Sequence, residues 1–449
     1  MIDYTLPLDQ LPDPLPIEPL TKPFDVTITP PGSKSITCRA YVLAALAEGE
    51  SKIIRPLRAD DTDKLLDALC TLGAEARWAP GGEDVYIKGV AGRFPRGGKV
   101  NLGDGGTPAR FMIAVACLAA EPVVVDGSKR MRERPIAEGV DMLRQLGATI
   151  EYVEEEGRLP VRVVPSNSIH GGKIEIGATK SSQFISALML IAPVLRDGLV
   201  IRFLDELTSW PYVVLTDVVM SEWALFCSSG PFDEAQGIHS TTETVTIESQ
   251  KSVGEEFQIE PDASSAMYWY YAAAISPLSS IYVKGLSIYS SQPDAGLFGM
   301  FDHCGTKVER VNDTDSRVTG QERFIAQYFD GSATPDGTLA YAASAARSIG
   351  ISQITGLHTL RVKETDRLAA LESELTKIGC TVSTTDDSIT IDPSTRHDDP
   401  VVIETYNDHR MAMAFAVLGL ARPGISIANP KCVAKSYPGF WADFAKLYQ

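Results

Sequence analysis

A polar turn that enters an apolar helix occurs six times in the sequence, and this repetition constrains the fold more than any other feature. One residue of each turn serves as its marker: Ser35, Thr107, Ser181, Ser264, Asp336 and Arg410. The residue numbers of successive markers differ by 72, 74, 83, 72 and 74. Repetition at a nearly fixed period predicts an architecture of repeated units.

The six helices are apolar on almost every face, so they are predicted to be buried. A second series of amphipathic helices lies between them, and several end at a glycine that is followed by two candidate strands. Glycine is the usual residue just past a helix end. These glycines keep the period, at Gly73 and Gly147 and again at Gly305 and Gly379. Each unit is therefore predicted to combine a buried helix with paired strands, which makes the fold α/β.

The length of the chain and the unequal spacing predict two domains. A chain of 449 residues is too long for a single hydrophobic core. The longest interval follows the third copy, so each domain takes three units. We predict a discontinuous domain of residues 1–31 and 259–449, its last unit completed by a strand at residues 25–29, and an inserted domain of residues 32–258. The Pro-rich lead before that strand is predicted to be irregular.

The polar turns are candidate anion sites, because a helix N-terminus offers unpaired N–H groups and the positive end of the helix dipole. If the buried helices point the same way in each domain, all six turns face one interdomain cleft, which would be the active site. The net charge of −17 argues against nucleic acid or an anionic membrane as partner, since both attract basic surfaces. A basic hollow in an acidic protein suits a small, multiply anionic substrate.

The sequence carries neither a membrane signal nor a secretion signal. No apolar run is long enough to span a membrane, and the first residues lack the basic region and apolar core of a signal peptide. Seven cysteines without CxxC spacing favour free thiols over a disulfide framework or a zinc site. We therefore expect a cytoplasmic protein.

The first turn shows why these residue types suggest anion binding. Lys34 and Ser35 begin a helix, and Arg39, four residues past Ser35, lies on the same helical face. A P-loop is excluded, because it needs a glycine directly before the lysine, where this chain has Ser33. A capped helix with Lys and Arg in water is the alternative for one isolated turn. The sixfold recurrence favours a phosphate or carboxylate site.

Three further clusters in the first half are candidates with ordinary alternatives. The basic stretch that begins at Arg130 is predicted to be a loop ahead of a helix, although it could be only a solvated charged turn. The run from Lys180 through Ser181 and Ser182 to Gln183 could be only a helix cap. Ser209 and Tyr212 offer a hydroxyl and an aromatic platform, although the ring could simply pack in the core.

In the second half, Lys363 and Arg367 are predicted to share one face of a helix with Glu364 in its first turn. A surface salt-bridge ladder would look similar. Arg410 and Lys435 add cations. Asp336 at a helix start could be an N-cap, but among lysines and arginines it would be ionised and could act as a base.

Eight motifs in order make the chain resemble the 5-enolpyruvylshikimate-3-phosphate (EPSP) synthase family, also called 3-phosphoshikimate 1-carboxyvinyltransferases. They are PGSKSITCR, LGDGGTPAR, DGSKRMRERPI, SSQF, PDASSA, RVKETDRL, NDHRMAM and PKCVAKSYP, and together they span residues 31–438. The resemblance implies the two-domain enolpyruvyl transferase fold. In that fold each domain has three repeated units with buried parallel helices and outer sheets, an inside-out α/β barrel.

The resemblance implies that the enolpyruvyl group of phosphoenolpyruvate passes to the 5-hydroxyl of shikimate 3-phosphate, in the shikimate pathway of aromatic amino acid biosynthesis. It implies no cofactor and no metal, and we expect a monomer. Asp336, Glu364 and Lys34 match the catalytic positions. The phosphoenolpyruvate site is matched by Lys34, Gly106, Arg130, Gln183, Arg367, Arg410 and Lys435. The shikimate 3-phosphate site is matched by Lys34, Ser35, Arg39, Thr107, Ser181, Ser182, Gln183, Ser209, Tyr212, Asp336 and Lys363.

Four residues depart from the family pattern, and they bear on acceptor affinity rather than on the reaction: Cys38, Asp104, Thr334 and Thr359. The sequence also distinguishes this family from two alternatives. A UDP-N-acetylglucosamine enolpyruvyl transferase carries a cysteine in its mobile loop, whereas this chain has none between Cys117 and Cys227. A non-catalytic anion-binding relative would have lost the acids or cations, and all of them are present. The sequence therefore favours an enzyme that uses shikimate 3-phosphate.

Overall fold

The computed structural model of the chain describes residues 2–166, 169–177, 179, 181–205, 209–230 and 244–449. The chain forms two units. We call Met1–Pro31 with Glu260–Gln449 the split unit, and Gly32–Ile259 the inserted unit.

The described residues contain thirteen α-helices. In chain order they are α1 (Lys34–Leu46), α2 (Asp60–Leu72), α3 (Gly106–Ala116), α4 (Lys129–Glu133), α5 (Ala137–Gln145), α6 (Gln183–Ile191), α7 (Pro211–Ser221), α8 (Ala263–Ala274), α9 (Phe298–Phe301), α10 (Thr338–Ser344), α11 (Arg367–Lys377), α12 (His409–Ala421) and α13 (Phe440–Ala445).

The strands are short, between two and five residues each. In chain order they are β1 (Leu15–Pro16), β2 (Asp25–Ile28), β3 (Glu50–Ile54), β4 (Glu75–Trp78), β5 (Asp84–Lys88), β6 (Gly98–Asn101), β7 (Val123–Asp126), β8 (Thr149–Tyr152), β9 (Val161–Val164), β10 (Gly172–Ile176), β11 (Leu199–Phe203), β12 (Cys227–Gly230), β13 (Thr244–Ile247), β14 (Glu256–Gln258), β15 (Ser280–Val283), β16 (Thr306–Arg310), β17 (Ser316–Gly320), β18 (Tyr328–Asp330), β19 (Ser352–Thr355), β20 (Thr381–Thr384), β21 (Ile389–Asp392), β22 (Val401–Ile403) and β23 (Ile425–Ile427).

Five sheets repeat one four-stranded pattern. A central strand pairs in parallel with one neighbour and antiparallel with the second strand of a hairpin, as β3 does with β14 and with the hairpin β4–β5. The central strands of the other four are β7, β11, β15 and β19. The sixth sheet has the order β1-β23-β22, with β22 parallel and β1 antiparallel to β23. The period read from the sequence therefore corresponds to a real structural repeat.

The six apolar helices form the cores of the two units, as predicted. In the inserted unit α1, α3 and α6 pack against one another, and in the split unit α8, α10 and α12 do so. Nearly every residue of these helices is buried, including the whole stretch from His409 to Leu420 in α12. The four periodic glycines that follow the amphipathic helices all have positive φ, with Gly73 at 133° and Gly147 at 97°. A left-handed residue at this position is what favours glycine there.

The prediction for the opening strand is wrong in its partner. Residues 25–28 form β2, which pairs in parallel with β15 of the fourth unit and not with a strand of the last. The matching strand before α8, β14, pairs instead with β3 of the first unit. Each of these two strands therefore lies in the sheet of a different repeat from the helix that follows it. The sequence alone does not reveal this exchange, because strands of four and three residues carry too little pattern to select a partner.

The prediction that the Pro-rich lead is irregular is wrong in part. Leu15 and Pro16 form β1 and pair with Ile427 and Ser426. Proline is tolerated there because β1 is an edge strand, where a missing N–H breaks no interior ladder. Within the described part of the chain, no helix is both long and apolar enough to cross a bilayer.

Candidate active site

Lys34 is the first residue of α1, directly after the Ser33 cap, whose Oγ accepts a hydrogen bond from the N–H of Ile36. The Lys34 Nζ lies 3.3 Å from Oδ2 of Asp61, a buried carboxylate in the first turn of α2. The sequence analysis missed Asp61, because acids in the first turn of a helix are common without any further role. The structure therefore supplies this lysine with a counter-ion from a neighbouring helix.

Arg39 is buried, with only 2% of its surface exposed. Its guanidinium donates to the Ser35 carbonyl at 2.8 Å, to the Thr216 hydroxyl at 2.9 Å, to the Ser186 hydroxyl at 3.0 Å and to the Tyr212 carbonyl at 3.1 Å. Burial lowers the pKa of Arg39 to about 10. The side chain thus connects α1 to α6 and α7 by hydrogen bonds, a structural role that the sequence did not predict. Its place in an acceptor site stays a prediction.

Gly106 and Thr107 are the first residues of α3, so the second polar turn again opens a helix. A Cβ atom on Gly106 would lie 2.6–2.8 Å from the guanidinium of Arg134, so the absence of a side chain lets this arginine pack against the turn. Arg110, one turn further along α3, donates to Gln183 Oε1 at 2.5 Å. The sequence analysis named neither Arg110 nor Arg134. The spacing of Arg110 from Thr107 could have revealed it, since residues three apart share a helical face.

The basic stretch at Arg130 is a short helix, α4, rather than the loop that was predicted. Arg130 forms an ion pair with Glu133 at 2.9 Å, and 37% of its side chain is exposed. Arg132 is paired with Asp126 at 2.8 Å. The arginine that reaches the Gly106 turn is Arg134, which is buried. The role of Arg130 with phosphoenolpyruvate stays a prediction.

The third polar turn lies at the start of α6, which begins at Gln183. Ser182 is buried at the cap position, but its side chain makes no capping hydrogen bond. The Ser181 hydroxyl accepts a hydrogen bond from the N–H of Gln183 at 3.3 Å. Lys180 of this cluster lies outside the described residues. Ser209, with φ of 58°, precedes α7, and Tyr212 lies in its first turn, where the ring is half-buried.

In the split unit, one arginine holds three carboxylates. The Arg367 guanidinium donates to Asp336 Oδ1 at 2.8 Å, to Glu364 Oε2 at 3.0 Å and to Asp408 Oδ2 at 2.7 Å. The arginine is 1% exposed. Burial alone would lower its pKa, but the three carboxylates outweigh burial and raise the pKa above its usual range. We call Arg367 with Asp336, Glu364 and Asp408 the carboxylate cluster.

Two further cations contact the acids of the carboxylate cluster. Arg410 Nη2 lies 3.0 Å from Asp336 Oδ2, and Lys435 Nζ lies 2.9 Å from Glu364 Oε1. Asp336 and Glu364 are therefore each held between two positive groups. The alternative that Asp336 is an N-cap is wrong, because Gly337 occupies the cap position of α10.

The predicted helical face shared by Lys363 and Arg367 does not exist. Asp366 caps α11 by accepting a hydrogen bond from the N–H of Ala369 at 3.1 Å, so the helix begins at Arg367. Lys363 and Glu364 lie in the bend before it. Asp408, which the sequence analysis did not name among the site residues, has the corresponding capping role in α12. Its buried carboxylate serves both the helix cap and Arg367.

Asp294 is a fourth acid at this site, and the sequence analysis also missed it. Its side chain is buried and accepts a hydrogen bond from the Ser264 hydroxyl. Burial and then the negative charge of Asp336 raise the pKa of Asp294 to about 6, although Arg410 opposes them. The group is far from Ser264 and Asp336 in sequence, so no local pattern indicated it.

Asp294→Asn is expected to stabilise the protein by about 3 kcal/mol at pH 8 and by less at pH 5. In the unfolded chain this carboxyl ionises near pH 4. Because its folded pKa is about 6, stability falls as the pH rises from about 4 to about 6, and the variant escapes this loss. Urea unfolding at the two pH values measures the difference. Asp302→Asn, at an exposed position, is the control. An equal gain at both pH values would mean that the effect is packing.

The departures from the family pattern also have defined surroundings. Cys38 is buried in α1, and burial raises the pKa of its thiol to about 12. Asp104 accepts a hydrogen bond from Ser128, and Thr359 is buried. Among the residues that the structure describes, no group of three or more His, Cys, Asp or Glu side chains is placed to hold a metal ion.

Comparison with known proteins identifies relatives across almost the whole chain. A family model described as EPSP synthase (3-phosphoshikimate 1-carboxyvinyltransferase) matches residues 20–444. The 3-phosphoshikimate 1-carboxyvinyltransferase of Syntrophobacter fumaroxidans is 35% identical over 432 residues, which cover 96% of this chain and 99% of the relative. The protein of the same name from Methanoculleus marisnigri is 36% identical over 425 residues, 94% of this chain and 96% of its own.

Solved structures give the same result at the level of the fold. The EPSP synthase from Acinetobacter baumannii superposes with a TM-score of 0.77 at 23% identity, over 96% of this chain and 98% of that one. The enolpyruvyl transferase NikO from Streptomyces tendae gives a TM-score of 0.73 at 16% identity, over 96% of both chains. These likenesses confirm the predicted enolpyruvyl transferase fold.

Proposed function

The chain belongs to the EPSP synthase family, and from that premise we propose that it transfers the enolpyruvyl group of phosphoenolpyruvate to the 5-hydroxyl of shikimate 3-phosphate. The products are 5-enolpyruvylshikimate 3-phosphate and inorganic phosphate. This is the reaction of 3-phosphoshikimate 1-carboxyvinyltransferases in the shikimate pathway, which leads to the aromatic amino acids.

The carboxylate cluster is the observation that most supports this reaction. The two substrates carry two phosphates and two carboxylates, so they need several cations around groups that can take and give protons. Asp336 is paired with Arg367 and Arg410, and Glu364 with Arg367 and Lys435, at 2.8–3.0 Å. The split unit therefore supplies both requirements: the cations are Arg367, Arg410 and Lys435. The groups that exchange protons are the partly exposed Asp336 and Glu364.

The site residues are assigned by their match to the family motifs. We propose that phosphoenolpyruvate is bound by Lys34, Gly106, Arg130, Gln183, Arg367, Arg410 and Lys435. We propose that shikimate 3-phosphate is bound by Lys34, Ser35, Arg39, Thr107, Ser181, Ser182, Gln183, Ser209, Tyr212, Asp336 and Lys363. These sets draw on both units, so the proposal requires residues of both units to act on the same pair of substrates.

The two acids have complementary tasks in the proposed chemistry. The 5-hydroxyl oxygen of shikimate 3-phosphate attacks C2 of phosphoenolpyruvate, and Asp336 takes the proton of that hydroxyl. Glu364 gives a proton to the methylene carbon, C3. The resulting tetrahedral intermediate then loses its phosphate as the bond between C2 and the phosphate oxygen breaks. In the same step Glu364 takes a proton back from C3, which restores the double bond, and Asp336 gives its proton to the leaving phosphate. Lys34 is the competing candidate for the proton at C3, and neither step needs a cofactor or a metal.

Acceptor choice provides the test of this function. Purified protein with phosphoenolpyruvate is expected to release phosphate when shikimate 3-phosphate is added, and not when UDP-N-acetylglucosamine is added. Phosphate release without any acceptor gives the background. Equal or greater release with the nucleotide sugar would overturn the acceptor assignment. No release with either acceptor would favour a non-catalytic anion-binding relative.

We further propose that the enzyme is a cytoplasmic monomer. All seven cysteines are free thiols, which suits a reducing compartment. Five of them are buried, and burial raises the pKa of the thiols of Cys117 and Cys304 to about 12. One chain supplies every proposed site residue, so catalysis does not require a second copy.

A further inference from the structure

The N-terminal segment, residues 2–19, precedes the part of the chain that the family model matches. Its strand β1 pairs with β23, and the N–H of Ile17 donates to the Ile425 carbonyl at 2.8 Å. Leu15 and Ile17 are buried. In the other five sheets the central strand pairs antiparallel with a hairpin, whereas β23 has β1 instead. The N-terminal segment therefore supplies a strand that the sixth repeat lacks.

The beginning of this segment is fixed to the C-terminal helices by aromatic packing. The ring of Tyr4 lies 5.2 Å from Phe444, 5.5 Å from Tyr448 and 6.2 Å from Trp441, measured between ring centroids. The indole N–H of Trp441 donates to the Pro430 carbonyl at 3.0 Å. Pro430 opens the 3-10 helix Pro430–Lys435, which ends at a proposed substrate-binding lysine.

A direct contact connects the segment to the turn before that 3-10 helix. Asp13 Oδ1 accepts a hydrogen bond from the backbone N–H of Asn429 at 2.8 Å. Asn429 is left-handed, with φ of 49°. Its side-chain amide donates to Asn407 Oδ1 at 3.0 Å, and Asn407 is also left-handed, with φ of 56°. Asn407 is followed directly by Asp408, so one hydrogen-bonded chain joins the N-terminal segment to the carboxylate cluster.

Both turns adopt backbone conformations that need support from their surroundings. Left-handed residues other than glycine persist where neighbouring contacts hold them. The turn at Asn407 is held on one side by Glu374 of α11, which is fully buried. This carboxylate accepts hydrogen bonds from the Tyr406 hydroxyl at 2.7 Å and from the Glu404 N–H at 3.0 Å. Asp13 holds the other turn, at Asn429, and through it the side chain of Asn407.

We propose that the N-terminal segment is a positioning element for the enolpyruvyl-transfer site and that Asp13 is its positioning residue. Asp13 fixes the turn at Asn429, which precedes the 3-10 helix that ends at Lys435, and through it the turn at Asn407, which precedes the start of α12, where Arg410 lies. Both cations belong to the proposed phosphoenolpyruvate site, so this inference rests on the proposed function. Loss of the Asp13 contact affects the binding of phosphoenolpyruvate more than that of shikimate 3-phosphate.

Three variants separate positioning from general stability. Asp13→Ala removes the acceptor, and Asp13→Asn keeps an acceptor oxygen without the charge. Asp9→Ala changes an exposed acid of the same segment and is the matched control. The KM for phosphoenolpyruvate is expected to rise about three- to tenfold in Asp13→Ala, the scale of one lost hydrogen bond. Asp13→Asn and Asp9→Ala are expected to remain within twofold of the unchanged protein.

Amide hydrogen exchange gives a readout that does not depend on activity. Faster exchange at residues 404–410 and 429–435 in Asp13→Ala, but not in Asp9→Ala, is expected. The proposal is overturned if the two alanine variants behave alike in exchange. It is also overturned if Asp13→Ala raises both KM values equally. Absence of turnover in the unchanged protein would count against the proposed function, while the exchange comparison would still decide whether Asp13 holds the two turns.

Discussion

Replacement of Arg367 by Met is expected to lower the free energy of unfolding by about 3–5 kcal/mol, the usual cost of removing one partner of a buried ion pair. Arg367 is 1% exposed and holds Asp336, Glu364 and Asp408. In the variant Asp336 keeps Arg410, and Glu364 keeps Lys435. Asp408, which is fully buried, loses its contact with Arg367, so most of the expected cost arises there.

Urea unfolding followed by near-UV circular dichroism measures this effect. Arg317→Met is the control, because Arg317 pairs with Asp25 at a more exposed position, where an ion pair contributes up to about 1 kcal/mol. Arg367→Lys keeps the positive charge but cannot reach three carboxylates with one planar group. We expect this variant to be more stable than Arg367→Met and still to lose turnover. If Arg367→Met were as stable as Arg317→Met, the carboxylate cluster would not contribute to folding.

The repeat and its buried helices were predictable because their signal is local. A run of apolar residues on every face of a helix indicates burial whatever surrounds it. The period of the markers then gave the number of units. The partner of β2 was not predictable, because the whole inserted unit lies between β2 and β15 along the chain. Strands as short as β2 carry too little pattern to choose between two similar sheets.

The candidate site likewise contains residues that could be predicted from the sequence and residues that could not. The cations that open polar turns, such as Lys34 and Arg410, could be found from sequence because each lies at the start of an apolar helix. Two acids were missed: Asp61, the partner of Lys34, and Asp294, whose pKa the charge of Asp336 helps to raise. Both come from other elements and look like ordinary acids in their own segments. Glu364 was found but placed on the wrong element, since the cap at Asp366 starts α11 after it.

Glu364→Gln is expected to lower kcat about a hundredfold or more while shikimate 3-phosphate still binds, which is the scale of lost general acid–base catalysis. The carboxylate lies between Lys435 at 2.9 Å and Arg367 at 3.0 Å, and 11% of its side chain is exposed. Gln keeps the shape and one acceptor oxygen but cannot exchange a proton with C3 of phosphoenolpyruvate. The steady-state rate of phosphate release measures kcat, and equilibrium binding of shikimate 3-phosphate measures its affinity separately.

The comparison with Asp336→Asn separates the two acids. Asp336 is paired with Arg367 and Arg410 rather than with Lys435, and in the proposed reaction it contacts the acceptor hydroxyl. Asp336→Asn is therefore expected to lower kcat on the same scale and also to change the affinity for shikimate 3-phosphate. Glu309→Gln, which changes a partly exposed glutamate paired with Lys307, is the control and should leave both quantities unchanged. If Glu364→Gln kept near-normal turnover, Glu364 would only be an ion-pair partner. The proton at C3 would then come from Lys34.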